Sequence, residues 1–185
     1  IYQSESIPRF NEILEELKQQ DLLYACDCTR KKINKLSEDG RYPNICQDKN
    51  LSFDGEVAWK LRHGQGDYHF DDQIQGQCEF ETSLYREDFT VKRKDGLMAY
   101  QLAVVVDDIN AGIDHVVRGI DLLDSTPRQL RLYQVLGKPA PLWYHLPLAI
   151  NDDGNKLSKQ NHAASIDSQK PSKQLHQAIA FLGQK

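Results

Sequence analysis

The sequence has little of what marks a membrane-spanning or a secreted protein. Its 185 residues include only four cysteines, one methionine and two tryptophans. No apolar run approaches the ~20 residues that a membrane span requires. The first residues form neither a basic nor an apolar stretch, so we expect no signal peptide. These absences exclude a transmembrane protein and argue against a disulfide framework.

The chain also lacks an excess of positive charge. It has 23 Lys and Arg against 27 Asp and Glu, a formal net charge of −4. This balance argues against unspecific, charge-driven binding to nucleic acid, but it is compatible with a shaped RNA site that has local basic patches. The length suits one domain, or one domain with an insertion.

Hydrophobic periodicity changes along the first half of the chain. Residues 6–25 have apolar side chains at helical spacing. Residues 26–50 contain cysteines and turn formers and few apolar side chains, and after them the period becomes two, as in antiparallel strands. Asp95 and Gly96 predict a hairpin turn. We therefore expect a mostly β insertion over residues 26–99.

The second half predicts an α/β arrangement. Residues 102–106 and 143–150 are apolar runs of the kind found in strands that are buried on both faces of a parallel sheet. Thr126 and Gln129 predict a helix that begins with a capping box, and Gly137 predicts its end. A last short helix is expected before Gly183.

Three cysteines cluster in the loop-rich segment. Cys26 and Cys28 are followed by Tyr42 and Cys46. Three thiolates can hold a tetrahedral zinc ion if a fourth ligand is supplied, and Tyr42 lies near enough in sequence to supply it. The alternative is three ordinary cysteines, with no metal. We expect Cys78, which stands apart, to be a plain thiol.

Two further groups of residues suggest ligand binding. Lys156 and Lys159 flank Ser158 on a Gly-flanked loop and could stabilise a triphosphate, or they could belong to a solvated basic loop. Asp107 and Asp108 end a predicted strand, where ligands bind in open α/β sheets, although they could equally cap a helix.

Tyr100 and Arg118 form a fourth candidate group. Arg118 follows an apolar pair and is followed by Gly119, which suits a strand end. An arginine there can bind a carboxylate through two parallel hydrogen bonds. The alternative is a structural salt bridge with Asp107, Asp108 or Asp121.

Together these pieces resemble the glutamate-type class I aminoacyl-tRNA synthetases over almost the whole chain. The matching stretches follow in order: Asp88–Phe89, Arg93–Gly96, Ala99–Asp108, Val117–Leu122, Thr126–Gln129 with Tyr133, His145–Leu148, and Lys156–Lys159, which resembles the second signature motif of the class. The resemblance implies the second half of a Rossmann-like nucleotide-binding fold that carries a zinc-containing insertion.

Two branches of this family are compatible with the sequence. One is discriminating glutamyl-tRNA synthetase, and the other is its truncated paralogue, glutamyl-queuosine tRNA(Asp) synthetase. The residues Gln160–His162 after Lys159, where the synthetase usually has arginine, favour the paralogue. The cysteine and tyrosine spacing and the short C-terminal helix favour it as well.

The resemblance implies ATP-dependent activation of glutamate and transfer of the glutamyl group to queuosine at the wobble position of tRNA(Asp). It assigns glutamate binding to Tyr100 and Arg118, and ATP, with its Mg²⁺, to Lys156 and Lys159, of which Lys159 is catalytic. It also assigns structural zinc to Cys26, Cys28, Tyr42 and Cys46. We expect a cytoplasmic protein that makes no membrane contact and is a monomer when complete.

The first signature motif of the class, with its histidine pair, has no counterpart among the six histidines. We therefore interpret the chain as a fragment that carries half of the active site and is inactive alone. Its expected parts are a core helix (1–25), the insertion (26–99), the second half of the nucleotide-binding core (100–160) and the start of a helical region (161–185). A zinc-stapled RNA-binding module without catalysis is the alternative.

Overall fold

The computed structural model describes residues 2–37, 41–64, 69–80, 87–151, 153–158, 163 and 165–184. The helices are α1 (Ile7–Gln19), α2 (Arg30–Leu36), α3 (Tyr100–Ala111), α4 (Thr126–Val135) and α5 (Pro171–Phe181). The strands are β1 (Leu23–Cys26), β2 (Ala58–Leu61), β3 (His69–Asp72), β4 (Gly76–Glu79), β5 (Phe89–Lys92), β6 (His115–Gly119) and β7 (Leu142–Leu146). Short 3-10 helices span Gln3–Glu5 and Ile120–Ser125.

The strands form two sheets. The first has the order β1-β2-β5 and is antiparallel throughout. The second has the order β4-β3-β7-β6, in which β3, β7 and β6 run parallel and β4 pairs antiparallel with β3. The second sheet therefore draws strands from both the predicted insertion and the predicted core.

Helix α1 begins the core, as its periodicity predicts. Its buried side chains are Phe10, Ile13, Leu14 and Leu17, and they belong to the same apolar cluster as residues of β2, β5, α3 and α4. The predicted helix over residues 6–25 is too long, however, because the chain turns at Asp21 in a left-handed conformation and continues as β1.

Residues 102–106 are not a strand but the first turns of α3. The buried side chains are Leu102, Ala103, Val105 and Val106, which share one face at helical spacing, and Val104 is only partly buried. A short apolar run fits a buried strand and a buried helix equally well, and here the tertiary packing against α4 decides for the helix. Tyr100 is therefore the first residue of a helix.

The hairpin and the second apolar strand are confirmed in shortened form. The turn at Asp95 and Gly96 brings Met98 into a bridge with Lys92, but no second strand follows. The strand expected over residues 143–150 is β7, which ends at Leu146 and has a parallel neighbour on each side. Gly137, at φ +62°, follows α4 as predicted.

The sheet has an open edge at β6, where Val117 is 61% exposed. The two apolar runs that predicted buried strands do not form this edge, because residues 102–106 lie in α3 and β7 lies inside the sheet. Within the described ranges, β6 pairs with β7 alone. No helix in these ranges is both long and apolar enough to cross a membrane.

Candidate active site and metal centre

The three clustered cysteines come together in space. Cys26 is the last residue of β1, Cys28 follows two residues later, and Cys46 lies in a turn after Asn44, which has a positive φ. Their sulfur atoms lie within 4.8 Å of one another, and the sulfurs of Cys28 and Cys46 are 3.4 Å apart. Tetrahedral Zn–S bonds of ~2.3 Å place sulfurs roughly 3.8 Å apart, so this spacing fits zinc.

Tyr42 lies at the same cluster. Its hydroxyl oxygen accepts a hydrogen bond of 2.9 Å from the backbone N–H of Cys46, and its phenol also interacts with Cys26. The structure therefore brings together all four residues that the sequence suggests as ligands. Cys78 lies elsewhere, in β4.

The cluster is buried, and both an acidic and a basic side chain contact it: the Asp27 carboxylate lies 3.3 Å from the sulfur of Cys46, and Lys49 lies on the same sulfur. Burial, followed by the hydrogen bond with Cys46, raises the pKa of Cys28 to about 12, and burial also raises the pKa of Tyr42. The ammonium of Lys49 lies 3.5 Å from the sulfur of Cys46. A bound cation would reverse these shifts by favouring the ionised ligands. The donor set thus fits a divalent metal that prefers sulfur.

Arg118 forms the centre of a second polar cluster, on β6. Its Nε donates to Nε2 of His145 at 2.9 Å, and its Nη1 donates to the side-chain oxygen of Gln129 at 2.8 Å. Its Nη2 donates to Thr126 Oγ1 at 2.7 Å and to the carbonyl of Leu122 at 3.2 Å. Four of its five N–H groups therefore point to acceptors in this chain.

Aromatic side chains complete the surroundings of Arg118. The guanidinium lies 4.6 Å from the ring centroid of Trp143, which suits a cation–π contact. Burial lowers the pKa of Arg118, and nearby Tyr100, Asp108 and Asp72 oppose this shift. Tyr100, at the start of α3, thus acts on the same guanidinium, as the sequence suggests.

The residues that we expected to cap α4 have another role. Ser125 is the N-cap and no side chain caps the helix, whereas Thr126 and Gln129 both accept hydrogen bonds from Arg118. The predicted capping box is therefore wrong. The alternative of a salt bridge at Arg118 also fails, because no carboxylate oxygen of the described residues lies within ion-pair distance of it.

Among the described residues, the predicted lysine and aspartate candidates lie in different parts of the fold. Lys156 forms an ion pair with Asp121, directly after β6. Lys159 lies outside the described residues. Asp107 and Asp108 lie in the last turns of α3 and not at a strand end, and Asp107 accepts a hydrogen bond from Gln3.

Asp72 and His145 are the functional candidates that sequence reasoning missed. Both side chains are fully buried, and His145 Nδ1 lies 2.6 Å from Asp72 Oδ2. A histidine within an apolar run that is predicted to be buried was the available signal, because such a side chain needs a polar partner. The sequence does not identify this partner, because Asp72 lies 73 residues before His145.

Comparison with known proteins assigns the chain to a class. Residues 1–181 match the family described as tRNA synthetases class I (E and Q), catalytic domain. A solved structure of a glutamate tRNA ligase from Elizabethkingia meningosepticum, in complex with its amino acid, superposes with a TM-score of 0.71 at 23% identity. The superposition covers 85% of this chain and 36% of that one, and it shows that the fold is shared.

Curated relatives are more similar in sequence. The "Glutamyl-Q tRNA(Asp) synthetase" of Pectobacterium atrosepticum is 46% identical over 184 residues, which is 100% of this chain and 56% of that protein. The protein of the same name from Vibrio parahaemolyticus is 46% identical over 99% of this chain and 60% of its own length. The chain therefore belongs to the class I tRNA synthetase family for glutamate and glutamine. It spans somewhat more than half the length of these relatives.

Proposed function

We propose that this chain is part of a ligase that activates glutamate with ATP and transfers it to the queuosine base at the wobble position of tRNA(Asp). The observation that carries this proposal is the 46% identity, over the whole chain, to proteins named for that substrate. The half-buried guanidinium of Arg118 beside Tyr100 supports it, because a carboxylate substrate needs a fixed positive charge.

Arg118 and Tyr100 are the glutamate-binding residues in this proposal. Since most N–H groups of Arg118 are used within the chain, a substrate carboxylate reaches the guanidinium on the side where Tyr100 lies, and not through an open two-pronged fork. The half-exposed phenol of Tyr100 then borders the pocket. Glutamine is disfavoured because its amide offers a donor where an acceptor is required.

Lys156 and Lys159 are proposed to bind ATP, which enters with Mg²⁺. Lysine side chains stabilise the charge that develops on the pyrophosphate leaving group. Lys156 is held near the end of β6 by Asp121, and Arg118 lies on that same strand. This placement supports a nucleotide site beside the glutamate site.

Zinc is proposed as a structural ion held by Cys26, Cys28, Tyr42 and Cys46. When bound, it would supply folding energy to a segment that has few apolar side chains. Four anionic ligands around a divalent cation leave a negative site. The buried ammonium of Lys60, whose Nζ lies 3.7 Å from the Tyr42 ring centroid, offsets that charge. The complete protein is expected to be a cytoplasmic monomer.

The experiment is a transfer assay with the full-length protein, labelled glutamate and ATP. We expect label on tRNA(Asp) that contains queuosine, and none on queuosine-free tRNA(Asp) or on tRNA(Glu). Label on tRNA(Glu) alone would favour a glutamyl-tRNA synthetase, the function named for the similar solved structures. RNA binding without glutamate-dependent pyrophosphate exchange would instead favour a non-catalytic module.

A further inference from the structure

A buried Asp–His pair stands behind Arg118. His145 and Asp72 both have fully buried side chains, and they join neighbouring strands β7 and β3. His145 contacts Asp72 through Nδ1 at 2.6 Å and Arg118 through Nε2 at 2.9 Å. The three side chains thus form a chain of contacts across three adjacent strands of one sheet.

The chemistry of arginine fixes the direction of these hydrogen bonds. The Nε of Arg118 can only donate, so Nε2 of His145 must accept. A neutral imidazole that accepts at Nε2 has its proton on Nδ1, and this proton is donated to the carboxylate of Asp72. The structure therefore defines one tautomer of His145.

Asp72 is itself held in one orientation. Its Oδ1 accepts hydrogen bonds from the backbone N–H groups of Ile74, Gln75 and His145, at 2.9, 2.9 and 3.2 Å. Its Oδ2 is left for the imidazole. Each oxygen thus faces only donors, which suits a carboxylate and no other side chain of the same shape.

We propose that Asp72 and His145 are positioning residues that fix the hydrogen-bond direction at Arg118 and so set the glutamate pocket. This inference rests on the proposed function. Asp72 fixes the tautomer of His145, and His145 holds the Nε edge of the guanidinium. The Nη groups are held by Gln129 and Thr126, so the plane of the guanidinium is fixed before substrate arrives. A pre-oriented charge does not have to reorganise when the carboxylate binds.

The isosteric substitution Asp72→Asn tests this proposal in the full-length protein. If the asparagine amide faces His145, the imidazole must accept at Nδ1 and carry its proton on Nε2, where it opposes the N–H of Arg118. If the amide is flipped, its NH₂ group opposes the three backbone N–H groups. Either arrangement sets two donors against each other. Asp71→Asn, on the same strand but exposed, is the matched control.

We expect Asp72→Asn to raise KM for glutamate in pyrophosphate exchange by about tenfold or more, with KM for ATP nearly unchanged, as expected when buried donors lose their acceptor. Asp71→Asn should match the wild type. Equal increases in both KM values, or an unchanged KM for glutamate in a folded Asp72→Asn variant, would overturn the positioning role.

Nitrogen NMR of the wild type provides a measurement that does not depend on the folding of Asp72→Asn. The His145 signal is assigned by its loss in His145→Gln. We expect the Nδ1–H tautomer; the Nε2–H tautomer or an imidazolium would overturn the proposal. If the wild type activates a different amino acid, the proposed substrate is wrong. The same KM comparison, made with that amino acid, then upholds or overturns the positioning role.

Discussion

The ammonium of Lys60 lies 3.7 Å from the centroid of the Tyr42 ring, inside the protein. Burial lowers the pKa of Lys60, and the nearby Cys26 and Glu87 oppose this shift. A buried ammonium is costly unless negative charge lies close by. Its Nζ donates to the carbonyl of Asp88 at 3.0 Å, and its position beside the cysteine cluster is compatible with the proposed anionic metal site.

Replacement of one cysteine should release the metal. We expect the wild type to contain close to one zinc ion per chain and Cys28→Ser to lose most of it, with a lower melting temperature, because metal-binding energy is also local folding energy. Elemental analysis of freshly purified protein checks the first result. Cys78→Ser, outside the cluster, should retain the metal. Zinc-free wild type with three reactive thiols would refute the site.

Tyr42→Phe separates the fourth ligand from the other three. This variant keeps the ring beneath Lys60 but removes the hydroxyl oxygen that faces the cysteines. We expect weaker zinc retention against a chelator than in the wild type. Equal retention would leave the three cysteines as ligands and exclude the phenol.

Arg118→Ala should abolish most glutamate activation. In the full-length protein we expect glutamate-dependent pyrophosphate exchange to fall by about 100-fold or more, because the substrate carboxylate loses its charged partner. The control is Arg93→Ala, since Arg93 forms only an exposed ion pair with Asp95 among the described contacts. Unchanged exchange in the Arg118 variant would contradict the assignment.

The grouping of the cysteines could be predicted from sequence, whereas the surroundings of Arg118 could not. Cys26, Cys28 and Cys46 are close enough in sequence to suggest one cluster, and the structure brings their sulfur atoms together. The partners of Arg118 were not recognisable, since Thr126 and Gln129 also suit a capping box. Their real role depends on how α4 packs beside β6, which is a tertiary contact.

The error at residues 102–106 has a similar origin. β-Branched residues favour strands, and three consecutive valines suggested one. Leu102, Val105 and Val106 also have helical spacing, but a run of five apolar residues is too short to distinguish a helix from a buried strand. Tyr100 lies in this helix and not in a strand, but it is still close enough to interact with Arg118, as the sequence suggests.

Alanine substitutions distinguish helix from strand at this segment. In α3, Val105 is buried and Val104 is only partly buried, whereas an alternating strand would place Val104 on the same face as Leu102. We expect Val105→Ala to lower the free energy of unfolding by ~1–3 kcal/mol and Val104→Ala to lower it clearly less. Urea denaturation measures both values, and the reverse order would favour the strand.

His63 should make stability depend on pH. Burial, followed by the charges of Arg131 and Arg128, lowers the pKa of His63 to about 4. Between its ordinary value of ~6.5 and about 4, the unfolded chain binds a proton that the folded chain does not, so stability falls as pH decreases through this window. The loss is at most about 3 kcal/mol at 1.36 kcal/mol per pKa unit.

Denaturation of the wild type and of His63→Gln between pH 7.5 and about 4.5 checks this effect. The glutamine variant should show a flatter curve over that range. The control is His115→Gln, because His115 is exposed beside Asp114. Parallel curves for the wild type and His63→Gln would exclude His63 as the source.

The open edge of β6 leads to the last prediction. Val117 is 61% exposed on a strand whose other side has no strand partner in the described part of the chain. Unpaired edges with apolar side chains promote association between chains. We expect the 185-residue chain to self-associate at micromolar concentration and Val117→Lys to reduce this association, because a charged side chain opposes edge pairing.

The control must lie at an exposed position away from this edge. Val116→Lys is not suitable, since Val116 packs against the core. Leu97→Lys, at an exposed position in the turn after β5, is suitable and should leave association unchanged. Light scattering measures the effect, and equal association of the wild type and Val117→Lys would show that this edge is not the contact.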